Sequence, residues 1–217
     1  MDAKELIARR VAREIRAGML VNLGIGLPSL VANYVPQSLG VFFQAENGVI
    51  GLGARPPEGM ENLGLTDAGG GFVSAVPGAA SIDSAMSFGL IRGGHLDMTV
   101  LGGLQVDEAG RLANWKVPGK MVPGMGGAMD LVTGAARVVV AMQHSARGES
   151  KVVKSCDLPL TSLRRVDLVV TELAALKPTE EGLVLLERAP GVSLKEIRDA
   201  TEADLLIPGE VPEMELA

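Results

Sequence analysis

Phe43-Gln44-Ala45-Glu46-Asn47-Gly48, continuing as Val49-Ile50-Gly51-Leu52-Gly53, is the stretch on which the reading of this chain turns. The short apolar run Val41-Phe42-Phe43 reads as a buried strand, and it ends in a carboxylate followed by an Asn-Gly turn signal. Glu46 is therefore expected at the carboxyl end of a strand on a tight turn. In open α/β sheets this is where ligand crevices form. Neighbouring glycines let a substrate come close to the backbone, with no Cβ in the way. The same Glu-Asn-Gly triplet is also an ordinary surface hairpin, so the rest of the chain has to separate the two readings.

Upstream, Asp2-Ala3-Lys4-Glu5 has the form of a capping box, with Ile7, Val11 and Ile15 on one face and Gly18 as the stop. Glu5 and Arg9 form a charge pair at i, i+4 spacing. Leu20-Val21-Asn22-Leu23 reads as a strand entering Gly24-Ile25-Gly26-Leu27-Pro28, and Pro28 opens a helix that runs to Val35. Strand, glycine turn and helix amino terminus make a corner that suits an anion. The third glycine of a dinucleotide fingerprint is missing, which argues against NAD. The corner is expected beside the substrate crevice, with Gly24 and Gly26 as binding positions.

Downstream, residues 53–71 are rich in Gly, Pro, Glu and Asp without periodicity, a lid or an insertion. Ile82 to Ile91 reads as a helix, and Asp97 to Leu101 as a strand closing in Gly102-Gly103. The run from Leu112 to Asp130, with two Pro-Gly turns and then Gly126-Gly127, is a long irregular loop of the kind that is usually functional. Its glycines precede a short helix from Ala128 and offer backbone N–H groups to a developing oxyanion. Further strands are expected at Arg137–Met142, Val166–Thr171 and Leu183–Leu186, with a helix from Ser193 to about Thr201. Alternating strands and helices argue an α/β fold: an open, largely parallel sheet with helices on both faces. No repeat or linker divides residues 1–217, so a single domain is expected.

The chain has 217 residues, 47% of them hydrophobic, with 28 glycines and 3% aromatics, the composition of a compact core. A net charge of -6 argues against binding to nucleic acid or an anionic membrane. Residues 111–154 nevertheless hold seven Lys/Arg against two Asp/Glu, and Lys120 in that cationic segment is a candidate for holding a phosphorylated ligand. The amino terminus is charged from its second residue, unlike a signal peptide, and no apolar run reaches the roughly 20 residues a bilayer requires. With one cysteine and no disulfide, a cytoplasmic protein is expected.

Candidate nucleophiles then fall away in turn. His95 and His144 lack the spaced partners of a metal site, so no metal is expected. Cys156 has no histidine near it in sequence and reads as a structural thiol. Trp115 reads as packing of the long loop, and no serine sits in a Gly-x-Ser-x-Gly elbow. Glu46 is what remains.

Taken in order, Val21-Asn22-Leu23-Gly24-Ile25-Gly26-Leu27-Pro28, Glu46-Asn47-Gly48 with Gly51-Leu52-Gly53, Ile91-Arg92-Gly93-Gly94-His95 and the run from Leu112 to Leu131 resemble the β subunit of family I (3-oxoacid type) CoA-transferases. The amino-terminal Met-Asp-Ala-Lys and Asp83-Ser84-Ala85-Met86-Ser87-Phe88 are most similar to the short-chain, acetate/butyrate:acetoacetate branch. Ala45 departs from the serine that often precedes the glutamate, and Ser81-Ile82 from a frequent aromatic pair.

The resemblance implies the NagB/RpiA-like architecture and a glutamate, here Glu46, that attacks an acyl-CoA thioester. Ping-pong transfer then passes through a glutamyl-CoA thioester. It implies an oxyanion donor at Gly126-Gly127, with Gly127 preferred, and substrate or CoA contacts from Asn47, Gly48, Gly24, Gly26, Gly126 and Lys120. It implies coenzyme A as substrate with no permanently bound cofactor, and an α-subunit partner in an α2β2 or related heteromer. The acceptor would be a carboxylic acid such as acetoacetate; succinyl-CoA:3-oxoacid or 3-oxoadipate transfer is the alternative. Two rivals remain: a ligand-sensing or sugar-phosphate-binding domain on a related scaffold, and a noncatalytic assembly subunit whose glycine loops pack against a partner.

Overall fold

The computed structural model describes residues 1–119 and 125–217. In the first half, helix α1 (Ala3–Ala12) leads to strand β1 (Leu20–Leu23) and a 3₁₀ helix at Leu27–Tyr34. Strands β2 (Phe42–Gln44), β3 (Val49–Leu52) and β4 (Ala75–Ser81), helix α2 (Ser84–Arg92) and strand β5 (Met98–Leu101) follow. The second half begins with β6 (Gln105–Asp107), β7 (Leu112–Ala113), α3 (Ala128–Gly134) and β8 (Arg137–Ala141). Three two-residue strands come next, β9 (Ser145–Ala146), β10 (Glu149–Ser150) and β11 (Val152–Val153). The chain finishes with β12 (Leu168–Val170), β13 (Ala174–Pro178), β14 (Leu183–Arg188), α4 (Leu194–Ala200) and β15 (Leu205–Leu206).

Ten strands form one sheet in the order β15-β14-β13-β12-β8-β5-β1-β2-β3-β4. Its centre, β12-β8-β5-β1-β2, is parallel throughout. Successive residues of β8 serve opposite faces, as strand geometry requires. Val139 and Ala141 pack with Ile7 and Val11 of α1 and Val31 of the 3₁₀ helix. Val138 and Val140 pack with Ile91 of α2, Leu131 and Val132 of α3, and Ile197 of α4. A sheet covered on both sides needs strands apolar at every position, which is why the runs of valine read so plainly.

The sheet is largely parallel, as expected, and its antiparallel pairs lie toward the flanks, with β15 again parallel to β14. β13 is antiparallel to β12 and β14, and β3 is antiparallel to β2 and β4. Neither β4 nor β13 is anticipated from local sequence. The first four residues of β13 (Ala-Ala-Leu-Lys, before Pro178) are helix formers, but Ala174, Ala175 and Leu176 are fully buried, and packing overrides propensity. β4 carries Pro77 and Gly78, which a central strand would not tolerate. It lies at the sheet's edge, where the missing N–H of a proline can face away from the ladder.

Helix ends follow the chemistry of their caps. Asp2 Oδ1 accepts from Glu5 N at 2.8 Å, but the Glu5 carboxylate bonds Arg9 Nε at 3.0 Å, so the box is half closed. Ser193 and Glu196 complete both halves at α4. α1 stops at Ala12, short of Gly18, and Ile15 is buried from the turn that follows. Residues 53–71 lie within the β3–β4 connection (53–74) and are tied by local turns, with Asp67 Oδ1 accepting from Gly69 N and Gly71 N, both at 2.8 Å. That connection lies against the Gly24–Gly26 turn: a Cβ on Gly69 would stand 3.4 Å from Ile25 Cγ1.

Candidate active site

Both readings of the Glu46 turn describe it. β2 and β3 form a hairpin in which Gln44 pairs with Ile50, closed by Ala45 N to Val49 O and Gly48 N to Ala45 O, each 2.9 Å. Because β2 is also the last parallel strand on that side, the hairpin tip stands at the carboxyl end of the parallel sheet. Glu46 is half-buried there. Gly48 has φ 116° and lies against the approach to α2, where an added Cβ would be 2.0 Å from Ile82 O. Its hydrogen thus makes room for the protein's own chain.

The turn before α3 reaches the same place. A Cβ on Gly126 (φ 48°) would lie 3.6 Å from Glu46 Oε1, and one on Gly127 3.4 Å from Glu46 Cγ and 3.3 Å from Phe88 Cζ. Sites 80 residues apart in sequence are thereby brought so close that one added methyl group would bridge them. The remaining glycine candidates sit nearby with other tasks. Gly24 approaches β5, its N–H donating to Val100 O at 2.8 Å, and Gly26 (φ 84°) turns the chain in open space. Asn47 is exposed and donates Nδ2 to Thr66 O at 2.8 Å, tying the hairpin to the 53–71 connection. Lys120 lies outside the described residues.

Sequence reasoning overlooked the polar groups beneath the carboxylate. Asn22 on β1, Gln44 on β2, Thr99 on β5 and Ser87 on α2 are all fully buried. Asn22 Nδ2 donates to Gln44 O (3.1 Å) and Gln44 Oε1 (2.9 Å), and more distantly to Glu46 Oε2 (3.4 Å). Thr99 Oγ1 donates to Asn22 Oδ1 at 3.2 Å, and Gln44 Nε2 to Ser87 Oγ at 2.8 Å. The available signal was a polar residue inside each of three apolar strands; buried polar groups of this kind must be bonded.

Other candidates stand apart from this cluster. His144 is buried, its ring nitrogens each 2.9 Å from the hydroxyls of Thr171 and Thr201, and burial lowers its pKa to about 4. Its imidazole is neutral and structural. His95 is exposed, and among the described residues no group of three or more His, Cys, Asp or Glu could hold a metal. Burial, aided by Asp107, pushes the Cys156 thiol up to about 12, and the thiol donates to Arg111 O at 3.5 Å; a thiolate nucleophile is disfavoured there. Trp115 donates Nε1 to Leu160 O at 3.2 Å, a packing residue held in place.

Residues 4–200 match the family model described as coenzyme A transferase. The β subunit of acetate CoA-transferase from Haemophilus influenzae is 54% identical over 218 residues, covering 100% of this chain and 97% of the relative. That of Escherichia coli is 55% identical, covering 94% and 93%. A Bacillus subtilis protein, described as one subunit of a probable succinyl-CoA:3-ketoacid coenzyme A transferase, is 49% identical, covering 95% and 96%. Among solved structures, an acyl-CoA transferase of E. coli O157:H7 superposes with a TM-score of 0.80 at 25% identity. The alignment takes in 99% of this chain and 43% of that longer one, so this chain spans under half its length. Glutaconate coenzyme A-transferase from Acidaminococcus fermentans shares the fold, with a TM-score of 0.77 at 22% identity, covering 100% of this chain and 90% of that one.

Proposed function

Because the chain belongs to the coenzyme A transferase family, we propose that it is the β subunit of a heteromeric enzyme moving CoA from a short-chain acyl-CoA to a carboxylic acid such as acetoacetate, with Glu46 as nucleophile. The observation that carries this reading is the meeting of the Glu46 carboxylate with the Gly126-Gly127 turn at the carboxyl end of the parallel sheet.

In the forward half-reaction a Glu46 oxygen attacks the thioester carbonyl. The tetrahedral oxyanion takes a hydrogen bond from the Gly127 N–H, the C–S bond breaks, and CoA leaves as thiolate from an acyl-glutamyl anhydride. The thiolate attacks the Glu46 carbonyl of that anhydride, giving the glutamyl-CoA thioester and releasing the first acid as its carboxylate. A second carboxylate reverses both steps and departs as the new acyl-CoA. No proton, metal or redox partner is needed for the balance. An anhydride or thioester stays activated where a serine ester would not, so the CoA is not lost to a stable intermediate. Forming the anhydride is uphill, and binding energy from the distant CoA portion has to lower its barrier. Water exclusion protects both intermediates from hydrolysis.

The partner in this proposal is an α subunit supplying a second oxyanion donor, in an α2β2 or related heteromer working in the cytoplasm. Relatives described as succinyl-CoA:3-ketoacid coenzyme A transferase subunits, at 49% and 48% identity, favour succinyl-CoA as the alternative donor. The test is the reconstituted heteromer with Glu46→Gln. Transfer and the CoA-sized mass adduct on the Glu46 peptide are expected to vanish while assembly persists. Turnover at the wild-type rate overturns the assignment.

A further inference from the structure

The two amide hydrogens of Asn22 face three acceptors, and Glu46, at 3.4 Å, holds the weakest share. Gln44 takes the strongest side-chain share at 2.9 Å, and its amide can stand only one way. With Nε2 bonded to Ser87 Oγ, Oε1 points at Asn22; turned over, Nε2 would meet Asn22 Nδ2, donor against donor. Asn22 is fixed by the same logic. The Gln44 backbone carbonyl can only accept, and Thr99 donates to Asn22 Oδ1 from the other side. All four side chains are fully buried, so the arrangement is sealed from solvent.

We infer that Gln44 is a positioning residue for the transfer reaction: it draws the Asn22 side-chain amide away from Glu46, leaving the nucleophile a lightly bonded oxygen, and Ser87 holds Gln44 in that orientation. A carboxylate that accepts strong hydrogen bonds is stabilised in its charged form, and the same stabilisation slows its attack. The competition has a second use. Once Glu46 is acylated, its oxygens lose their charge and accept weakly, and the Asn22 hydrogens rest on Gln44 with no side chain displaced. This inference depends on Glu46 being the nucleophile.

Among the described residues no charged side chain bonds Glu46. On the elements packed about it, Asp83 caps α2 through Met86 N, Arg92 of α2 pairs with Asp130 of α3, and Asp67 closes its own turn in the 53–71 connection. β1 and β5 contribute the neutral Asn22 and Thr99.

The experiment measures single-turnover formation of the glutamyl-CoA adduct against pH, at saturating acyl-CoA, in the reconstituted heteromer. In Gln44→Met the side chain keeps its length and loses its amide oxygen, so the Asn22 hydrogen it held turns to Glu46 while the other stays on the backbone carbonyl of residue 44. The acid limb is expected to move to lower pH by about one unit, and the plateau rate to fall roughly threefold with acyl-CoA affinity within about twofold. Ser87→Ala moves the limb the same way by less, and Ser87→Thr, which retains the hydroxyl, restores it. If Gln44→Met does not assemble, the Ser87 pair decides alone. An acid limb that stays in place or moves upward overturns the inference. An adduct that persists in Glu46→Gln overturns the function itself, whereas a silent Glu46→Gln beside an unmoved limb overturns only the role of Gln44.

Discussion

Gly48 is the residue of the Glu46 turn least able to accept a side chain. Two independent costs meet there: φ of 116°, and a Cβ position 2.0 Å from the backbone oxygen of Ile82. Since the obstacle is backbone, it cannot turn aside, and Gly48→Ala is expected to cost about 3 kcal/mol or more, read as a drop in the denaturant midpoint. Gly26→Ala is the control. Its φ of 84° is strained, but nothing lies within 4 Å, so about 1 kcal/mol is expected. Gly127 differs again. Its φ of -86° is open to any residue, and the added methyl meets Phe88 and Glu46 side chains at 3.3 and 3.4 Å. Gly127→Ala should therefore fold normally and slow adduct formation by about tenfold to a hundredfold, because a displaced carboxylate or oxyanion donor is felt in the transition state. A Gly127→Ala enzyme of full activity would remove that turn from the chemistry.

At the scale of elements, α4 shows how a short helix is held at both ends. Its amino end is closed by the reciprocal Ser193–Glu196 bonds, and Ser193→Ala is expected to cost about 1 kcal/mol in unfolding experiments. Its last turn is pinned through Thr201, whose hydroxyl donates to Ile197 O and meets His144 Nε2. That contact ties stability to pH. His144 has a folded pKa lowered by burial to about 4 from an ordinary 6.5, so below pH 6.5 the unfolded chain takes up a proton that the folded chain refuses. Stability attached to this residue is intact above pH 6.5, falls as pH drops from there, and is exhausted near the folded pKa. Glu14 acts at still lower pH. Burial would raise its pKa, but its bond to Arg10 and the charges of Arg137 and Arg10 outweigh burial and hold it below 4.5. Its contribution is present above that value and lost below it. Urea titrations at pH 7 and pH 5 should show a loss in the wild type that His144→Gln reduces; equal losses in both would assign the acid sensitivity elsewhere.

Across the whole molecule, legibility followed burial. The central parallel strands were readable because a sheet covered on both faces leaves no polar option along Val138–Ala141 or Met98–Leu101 beyond a single threonine. β13 was not, because its Ala-Ala-Leu-Lys composition reports helix propensity while its conformation is set by β12 and β14 on either side. Glu46 and the Gly126-Gly127 turn were legible as local punctuation. The Asn22–Gln44–Ser87–Thr99 bonds were not, since they join residues 22, 43 and 77 positions apart, and it takes the register of β1 with β2 and β5, together with the placing of α2 against Gln44, to assemble them.

The same scale carries the last prediction. In the proposed site this chain holds the nucleophile and one backbone donor at Gly127, and the other donor belongs to the partner subunit. Losing one preorganised oxyanion donor costs on the order of a hundredfold to a thousandfold in rate. The separated chain, still folded around its own sheet, should therefore form the glutamyl-CoA adduct at least about a hundredfold more slowly than the complex, by intact mass after an acyl-CoA chase. Adding the partner should restore the rate in proportion to the complex formed. Equal rates with and without the partner would show that one polypeptide contains the whole oxyanion hole, and the second donor would then have to be sought among the residues around Glu46 itself.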